Sequence, residues 1–319
     1  MNNIKYTFLL PAYKARFFEE ALLSIKNQTY RDFKVIVSDD CSPEELKPIY
    51  DKVCGDDPRF TFRRNEENMG SKSLVSHWNL LVDMCDTEWL IMAGDDDVYD
   101  PTFLDEMDRL SEKYPKVDLL HARARVIDAD GEVIKLDSAY DEYVSQIEFL
   151  AFLGKIDHIE CVGNYVYRTS VLKKQGGFVD LPLAWASDAA TNNKMSREGC
   201  ATSVNFLFHF RMSGVNISST GNESNQVSKD KIRAVLMFDE DLESLFSSFV
   251  LNNKLLRHQY DVALTSQKMV VSTTLWAHSS ILKFNELTKV IKHLKRRGYI
   301  RRRYEVYKLW HRWLYARLR

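Results

Sequence analysis

Three adjacent carboxylates, Asp95-Asp96-Asp97, follow an apolar run at residues 89–92. Neighbouring carboxylates repel one another and are costly unless a cation or water shares the charge. Hard divalent cations such as Mn²⁺ or Mg²⁺ take oxygen ligands, often one or two carboxylates together with the phosphates of a bound molecule. The triplet is therefore a candidate place for a metal to meet a diphosphate and stabilise charge developing on it. The plain alternative is a solvated acidic loop that caps the helix expected after Pro101.

The elements that must position this triplet follow from hydrophobic spacing. Short apolar runs at residues 6–10, 33–37, 60–63 and 89–92 read as buried strands. Phe18, Ala21, Leu22 and Ile25 recur at helical spacing within 17–28, and Leu74, Trp78, Leu81 and Val82 within 74–85. Strands and helices joined by short loops predict an α/β chain with a Rossmann-like, mostly parallel sheet and flanking helices. Ligands of such sheets bind beyond the carboxyl ends of the strands. Three polar clusters stand there: Pro11-Ala12-Tyr13, Asp39-Asp40 and the acidic triplet. Downstream, the pattern predicts a helix at 103–114, a hairpin at 118–134 turning at Asp130-Gly131, a helix at 145–153, a strand at 165–168, a helix at 188–197 and a strand at 205–211. Beyond that, helical spacing dominates. The division expected is an α/β domain at 1–228 and a basic helical C-terminal extension at 229–319.

Bulk properties narrow the class. In 319 residues, 45% hydrophobic and 28% charged, the net charge of -1 hides an asymmetry. Residues 289–319 carry twelve Lys/Arg and a single acid, Glu305, whereas the preceding residues carry 32 basic and 44 acidic side chains. An acidic body argues against a nucleic-acid partner. Five cysteines without a C-x-x-C pair argue against a disulfide framework or zinc knuckle. No basic-then-apolar leader opens the chain, and no apolar run reaches the ~18 residues that span a bilayer. The expected location is cytoplasmic, at most peripheral on the inner face of the cell membrane.

With these residues in view, the chain resembles the inverting family 2 glycosyltransferases of the GT-A fold, of the kind that build bacterial surface polysaccharides such as lipopolysaccharide or capsule. The resemblance rests on Phe8-Leu9-Leu10-Pro11-Ala12-Tyr13, Gln28-Thr29-Tyr30-Arg31-Asp32-Phe33, Asp39-Asp40-Cys41-Ser42, Asn68-Met69-Gly70, and Asp97 with Pro101 four residues on. It covers roughly residues 4–220. It implies that Pro11, Ala12 and Tyr13 line a base and ribose pocket, and that Asp39 or Asp40 accepts a hydrogen bond from uracil if the donor is a UDP-sugar. It also implies that Asn68, Gly70 and Asn79 lie beside the nucleotide or donor sugar. Asp95 and Asp96 would contact ribose and metal, with Asp96 and Asp97 as metal ligands.

An inverting transferase needs a base to take the acceptor's proton. The resemblance places that aspartate after a Gly-Gly-Phe loop. Here Gly176-Gly177-Phe178 precedes Trp185-Ala186-Ser187-Asp188, with Ser187 where relatives often have Glu. Asp188 is thus the catalytic candidate, with a helix cap as its plain alternative and Asp180 as the second candidate. Arg211 could add positive charge to the leaving group and His209 could supply a late metal ligand, although a lone strand histidine is more often structural. Ser218 follows in a loop that in relatives folds over the diphosphate. No P-loop, zinc-hydrolase or G-x-S-x-G pattern occurs.

The resulting expectation is a hexosyltransferase-type enzyme moving a sugar from a nucleotide-sugar donor to a saccharide or lipid-linked acceptor. The alternatives are a metal-dependent nucleotidyltransferase acting on a sugar phosphate, or a non-catalytic nucleotide-sugar-binding module. The absence of glycine in Pro11-Ala12-Tyr13-Lys14 counts against the first, and the joint presence of the triplet and Asp188 against the second. In the tail, Lys295-Arg296-Arg297 and Arg301-Arg302-Arg303 precede Tyr304, Tyr307, Trp310, Trp313, Leu314 and Leu318. Basic and aromatic residues on one helix suit an anionic membrane surface. Packing on the α/β domain is the alternative.

Overall fold

The computed structural model describes residues 4–155, 157–214, 224–299, 310, 311, 313 and 314. Alternating strands and helices open the chain: β1 (Tyr6–Ala12), α1 (Phe18–Lys26), β2 (Phe33–Asp39), α2 (Leu46–Cys54), β3 (Phe60–Arg64), α3 (Gly70–Met84) and β4 (Trp89–Met92). Then follow β5 (Val98–Tyr99), α4 (Phe103–Lys113), β6 (Leu119–Ile127), β7 (Val133–Leu136), β8 (Tyr143–Val144), α5 (Gln146–Phe149), β9 (Tyr165–Arg168), α6 (Thr169–Lys174), α7 (Ser187–Met195) and β10 (Cys200–Arg211). Three helices come last: α8 (Asn225–Ser247), α9 (Lys254–His278) and α10 (Phe284–Arg296).

The strands form one mixed sheet in the order β3-β2-β1-β4-β9-β6-β10-β5, with β7 beside β6 and β8 beside β10. The β3-β2-β1-β4 half is parallel throughout. Register aligns Ala12 with Asp39, and Leu9 with Met92. The three polar clusters therefore leave from the carboxyl ends of three adjacent strands, as expected. Side-chain alternation along β1 sends Phe8 and Leu10 into one core with α1, α2 and α4, and Leu9 into the opposite core with α3.

Several elements differ from the sequence reading. Helix α2 was not foreseen because Pro48 and charged residues interrupt its pattern. Pro48 stands in the first turn, where the missing N–H has no helical partner anyway, and Leu46, Tyr50, Val53 and Cys54 still bury one face. The helix expected at 145–153 breaks into α5 and a short 3₁₀ turn at Phe152–Gly154. Glu148 accepts from the backbone N–H and hydroxyl of Ser145 at its start. At its end α9 comes so close that a Cβ on Gly154 would lie 2.2 Å from the Ser266 hydroxyl. Strand β10 begins at Cys200, five residues before the expected start, and register shifts interrupt its pairing with β6.

The C-terminal helices share a core with the α/β part. Ala234, Val235, Phe238, Val271 and Leu287 pack with Ile147, Leu150, Leu181, Ala189 and Ala190. Part of the basic run serves this packing: Arg297 and His293 reach the buried carboxylate of Asp239 at 2.6 and 2.8 Å, and Tyr299 also donates to it. Trp310 and Trp313 lie against the same core, and Trp313 donates to the Leu282 carbonyl at 2.7 Å. Residues 301–303, 304, 307 and 318, also expected in the tail, lie outside the described residues. No helix among the described residues is long and apolar enough to cross a membrane.

One buried amide ties α9 to the α/β part. Gln267 is fully buried, donates to the Leu150 carbonyl at 2.8 Å and accepts from Asn193 at 2.8 Å. Gln267→Leu leaves both groups buried without these partners and should cost about 3 kcal/mol, read as a lower midpoint in denaturant unfolding. An unchanged midpoint would show that this amide does not hold the helices.

Candidate active site

The acidic triplet is held from three directions. Asp95 accepts the backbone N–H groups of Tyr13 and Lys14 at 2.7 and 2.8 Å, which joins the end of β4 to the loop after β1. Asp97 accepts the backbone N–H of Arg211 at 3.0 Å, because the short pairing of β5 with β10 brings that strand alongside. The Gln28-Thr29 motif clamps the following turn: Gln28 donates to the Asp100 carbonyl at 2.7 Å and accepts from Leu104 at 3.0 Å, while Thr29 donates to Pro101.

Crowding of negative charge is the electrostatic character of this corner. Burial, then Asp95, pushes Asp96 up to about 6. Burial pushes Asp97 well above the usual carboxylate range, with Asp96 adding to it, and burial also raises Asp95. Gly94 is required by the crowd: a Cβ there would lie 2.6 Å from Asp97 Oδ2 and 3.4 Å from Asp96 Oδ1. Two carboxylate oxygens thus turn toward one point, a donor set that fits a hard divalent cation completed by phosphate oxygens.

Arg211 and His209 are placed differently from expectation. The Arg211 side chain is 1% exposed, lies 4.3 Å over the Phe17 ring, and donates to the Asp96 carbonyl, the Asp128 carbonyl and Glu20. Its guanidinium fixes the backbone of the triplet instead of facing open space as a leaving-group cation. His209 pairs in register with Val98 and is held toward its neutral form by burial, then by Arg125. Among the described residues no group of three or more His, Cys, Asp or Glu converges as a metal site, so His209 is not gathered with Asp96 and Asp97. Ser218 lies outside the described residues.

At the end of β2 both aspartates are buried and occupied by the chain's own donors. Asp39 accepts from the Ser42 N–H at 2.8 Å and pairs with Arg64. Asp40 accepts from Asn65, Met69 and Gly70 at 2.8, 2.9 and 2.7 Å. Asn68 in turn accepts the Ser71 N–H at 2.7 Å. Asp39 thus braces the turn after β2, and Asp40 braces the loop that follows β3. Pro11 and Ala12 end β1, and Tyr13 is 40% exposed beside them.

Asn79 grips the Gly-Gly-Phe loop. Its amide donates to the Phe178 carbonyl at 3.0 Å and accepts the Phe178 N–H at 2.7 Å. Gly177 has φ +86°, and a Cβ there would come within 2.3 Å of Asn79 Oδ1. The Gly-Gly-Phe motif is thus the chain's way of docking on α3.

Beyond that motif the backbone is strained. Leu183, Ala184 and Ala186 all have φ between 54° and 65°, a left-handed conformation that costs non-glycine residues of order 1–3 kcal/mol each. The strained turn is held from the C-terminal side: Trp185 donates to Thr274 at 3.2 Å and carries the Lys231 ammonium 4.1 Å over its ring. It delivers Asp188 into the first turn of α7. Burial, then Glu160, pushes Asp188 up to about 7. Asp180, the second candidate, is exposed and accepts from Ser73 at 2.9 Å.

Asp96 and Asp188 line one cavity of about 500 Å³. Lys14, Trp78, Glu160 and Trp185 line it too, and α9 contributes Val270, Thr273 and Thr274. Sequence reasoning missed Lys14, Glu160 and the α9 residues. His158-x-Glu160 was the available signal, but the two belong to an irregular segment with no motif.

Asn79→Ala removes both bonds to Phe178 and should cost about 2 kcal/mol, read as a lower unfolding midpoint. Nucleotide-sugar affinity should change little. A selective loss of that affinity at unchanged stability would return Asn79 to the nucleotide side.

The glycosyl transferase family 2 profile matches residues 7–176. An uncharacterized glycosyltransferase of Methanocaldococcus jannaschii is 24% identical over 160 residues, 50% of this chain and 53% of that protein, so the chain spans about half the length of this curated relative. Among solved structures, S. aureus TarS residues 1–349 in complex with UDP-GlcNAc has a TM-score of 0.58 at 18% identity, covering 84% of this chain and 81% of that one. A mannosyltransferase from Pyrobaculum calidifontis in complex with GDP-Man and Mn²⁺ has a TM-score of 0.54 at 13% identity, covering 99% and 86%. At such identities the structural likeness shows the fold, a GT-A arrangement with C-terminal helices. The profile covers more than half of the chain and includes the triplet: this chain belongs to glycosyl transferase family 2.

Proposed function

We propose that the enzyme moves a sugar from a nucleotide-sugar, a UDP-sugar in the first instance, to a hydroxyl of a saccharide or lipid-linked acceptor with inversion at the anomeric carbon. The observation that carries this reading is one cavity lined by both Asp96 and Asp188. The part at Asp96 holds the diphosphate and the part at Asp188 takes a proton. The nucleoside lies over Pro11, Ala12 and Tyr13, beside the loop of Asn68 and Gly70, and Asp39 and Asp40 act there through the segments they hold. Nucleotide-sugars bound to the two structural neighbours, UDP-GlcNAc in one and GDP-Man in the other, support the donor class.

Asp96 and Asp97 would hold a divalent cation, Mn²⁺ or Mg²⁺, which when bound supplies positive charge against the diphosphate. Asp188 accepts the proton of the acceptor hydroxyl as that oxygen bonds to the anomeric carbon and the bond to the diphosphate oxygen breaks. The electron pair leaves on the nucleoside diphosphate, and the proton stays on Asp188. A carboxylate held near 7 retains proton affinity suited to this step near neutral pH. Trp78 and Trp185 offer apolar ring faces to an acceptor, and Thr273 and Thr274 offer hydroxyls.

Residues 229–319 are then an extension that completes the acceptor side. Its outer surface leaves Trp276, Phe284 and Leu314 more than half exposed. With the basic residues after Lys295, this suits peripheral association with an anionic membrane face, where lipid-linked surface glycans are extended.

Incubation with a panel of nucleotide-sugars, acceptors and Mn²⁺ should release nucleoside diphosphate with at least one donor. Failure to bind or turn over any donor, with or without metal, would sink the reading. Chelation should abolish transfer, and added Mn²⁺ or Mg²⁺ should restore it. Asp188→Asn should lower turnover by about a hundredfold or more while donor affinity holds. Because a base works only when deprotonated, the parent's kcat/KM should fall as pH drops through about 7. For the membrane reading, co-sedimentation with anionic vesicles should weaken in the full chain carrying Arg301→Gln, Arg302→Gln and Arg303→Gln. Equal partitioning would remove it.

A further inference from the structure

Next to Asp188 the cavity wall carries a second carboxylate to which the reaction above gives no task. Glu160 lies in the segment entering β9 and lines the same cavity. Both of its oxygens are fixed by the protein. Oε1 accepts from Asn192 at 2.7 Å. Oε2 accepts from the Tyr165 hydroxyl at 2.8 Å and lies 2.6 Å from His158 Nε2. The other ring nitrogen of His158 lies 2.6 Å from the Tyr140 hydroxyl, which donates to Asp137 at 2.7 Å.

The proton positions along this chain follow from counting donors. Asp137 also accepts the backbone N–H groups of Ser138, Ile159 and Ala124 at 2.8, 3.2 and 3.3 Å. Burial raises Asp137, and the Tyr140 hydroxyl, then His158 and the N–H groups of Ala124 and Ile159, act against it. Tyr140 has one proton and gives it to Asp137, so its oxygen accepts from Nδ1–H of His158. One proton then remains between His158 Nε2 and Glu160 Oε2.

We propose that Glu160 is a positioning residue for Asp188, and that the buried chain His158–Tyr140–Asp137 sets how much negative charge Glu160 turns toward the acceptor side of the cavity. This rests on the reading of Asp188 as the base. Ser187, the sequence neighbour of Asp188, does not share the task, since its hydroxyl accepts the Leu181 N–H at 3.2 Å.

The other groups around the pair do not compete for it. Cys161 before β9, Tyr165 and Tyr167 on β9 and Cys200 on β10 are all pushed up by burial and stay neutral through the working range. Lys14 and Asp96 line the cavity with the pair, and Lys231 of α8 sits on the Trp185 ring. Tyr165 donates to Glu160 and is raised by it only after burial, and His121, 3.7 Å from Asp137, is held neutral by burial, then by His158. Consistent with the geometry, after burial Glu160 is the largest influence raising Asp188, and His158 acts in the opposite sense.

The test is the pH profile of kcat/KM for nucleoside diphosphate release by the full chain, with donor affinity measured alongside. Glu160→Gln removes negative charge beside Asp188, so the acidic limb should move down by roughly one pH unit. His158→Gln removes the group that opposes Glu160 at Asp188, so the limb should move up. Donor affinity should stay within about twofold in both, since neither residue belongs to the metal-diphosphate half. If His158→Gln does not fold, Tyr140→Phe should give a smaller upward shift. An acidic limb unmoved by Glu160→Gln, or moved the same way by both kinds of variant, overturns the proposal. Asp188→Asn separates this from the reading beneath it: transfer that survives in that variant removes the base assignment, whereas transfer lost there with an unmoved limb in Glu160→Gln removes only the role of Glu160.

Discussion

Negative charge held out of water is the constraint around which the active corner of this glycosyltransferase is arranged. Asp95, Asp96 and Asp97 stand side by side, with Asp188 and Glu160 on the wall of the cavity that Asp96 also lines. Such a group is stable only where donors and cations offset both mutual repulsion and lost hydration. The neighbouring structure supplies them: backbone N–H groups of Tyr13 and Lys14 on Asp95, the N–H of Arg211 on Asp97, and the Arg211 side chain on the carbonyl of Asp96. Glycine at 94 is what lets two carboxylates fold back over the strand end.

The second half of the cavity depends on a different device. Asp188 follows a turn in which three non-glycine residues adopt left-handed backbone conformations. Such a turn persists only where its surroundings over-determine it. Asn79 grips the loop before it through Phe178, and Trp185 within it is held by Thr274 and Lys231. The C-terminal helices are therefore part of the site. They share a core with α7 and put three residues of α9 into the cavity wall.

Much of this was legible in sequence. The strands that carry the polar clusters, the helices between them and the family resemblance all follow from local spacing and from motifs that sit on strand ends. Helix α2 was lost because proline in a first turn looks like a break in sequence and is tolerated in space. Arg211, Asn79, Asp39 and Asp40 were found as positions, but their partners within the protein were not. In each case the side chain is bonded to backbone or side chains of the protein itself.

Sequence alone determined the order of elements and the edge of the sheet where acidic residues collect, because strand ends and their loops are local properties of the chain. Only the tertiary structure decided which carboxylates share a cavity. Asp96 and Glu160 are 64 residues apart, and the strand pairings that bring their segments together join elements distant in the chain. The same holds for what each polar group does. A hydrogen bond across 99 residues, such as that from Asn79 to Phe178, leaves no periodic trace in sequence. The difference between an aspartate that braces a loop and one that takes a proton lies in burial and neighbours, which exist only once the chain has folded.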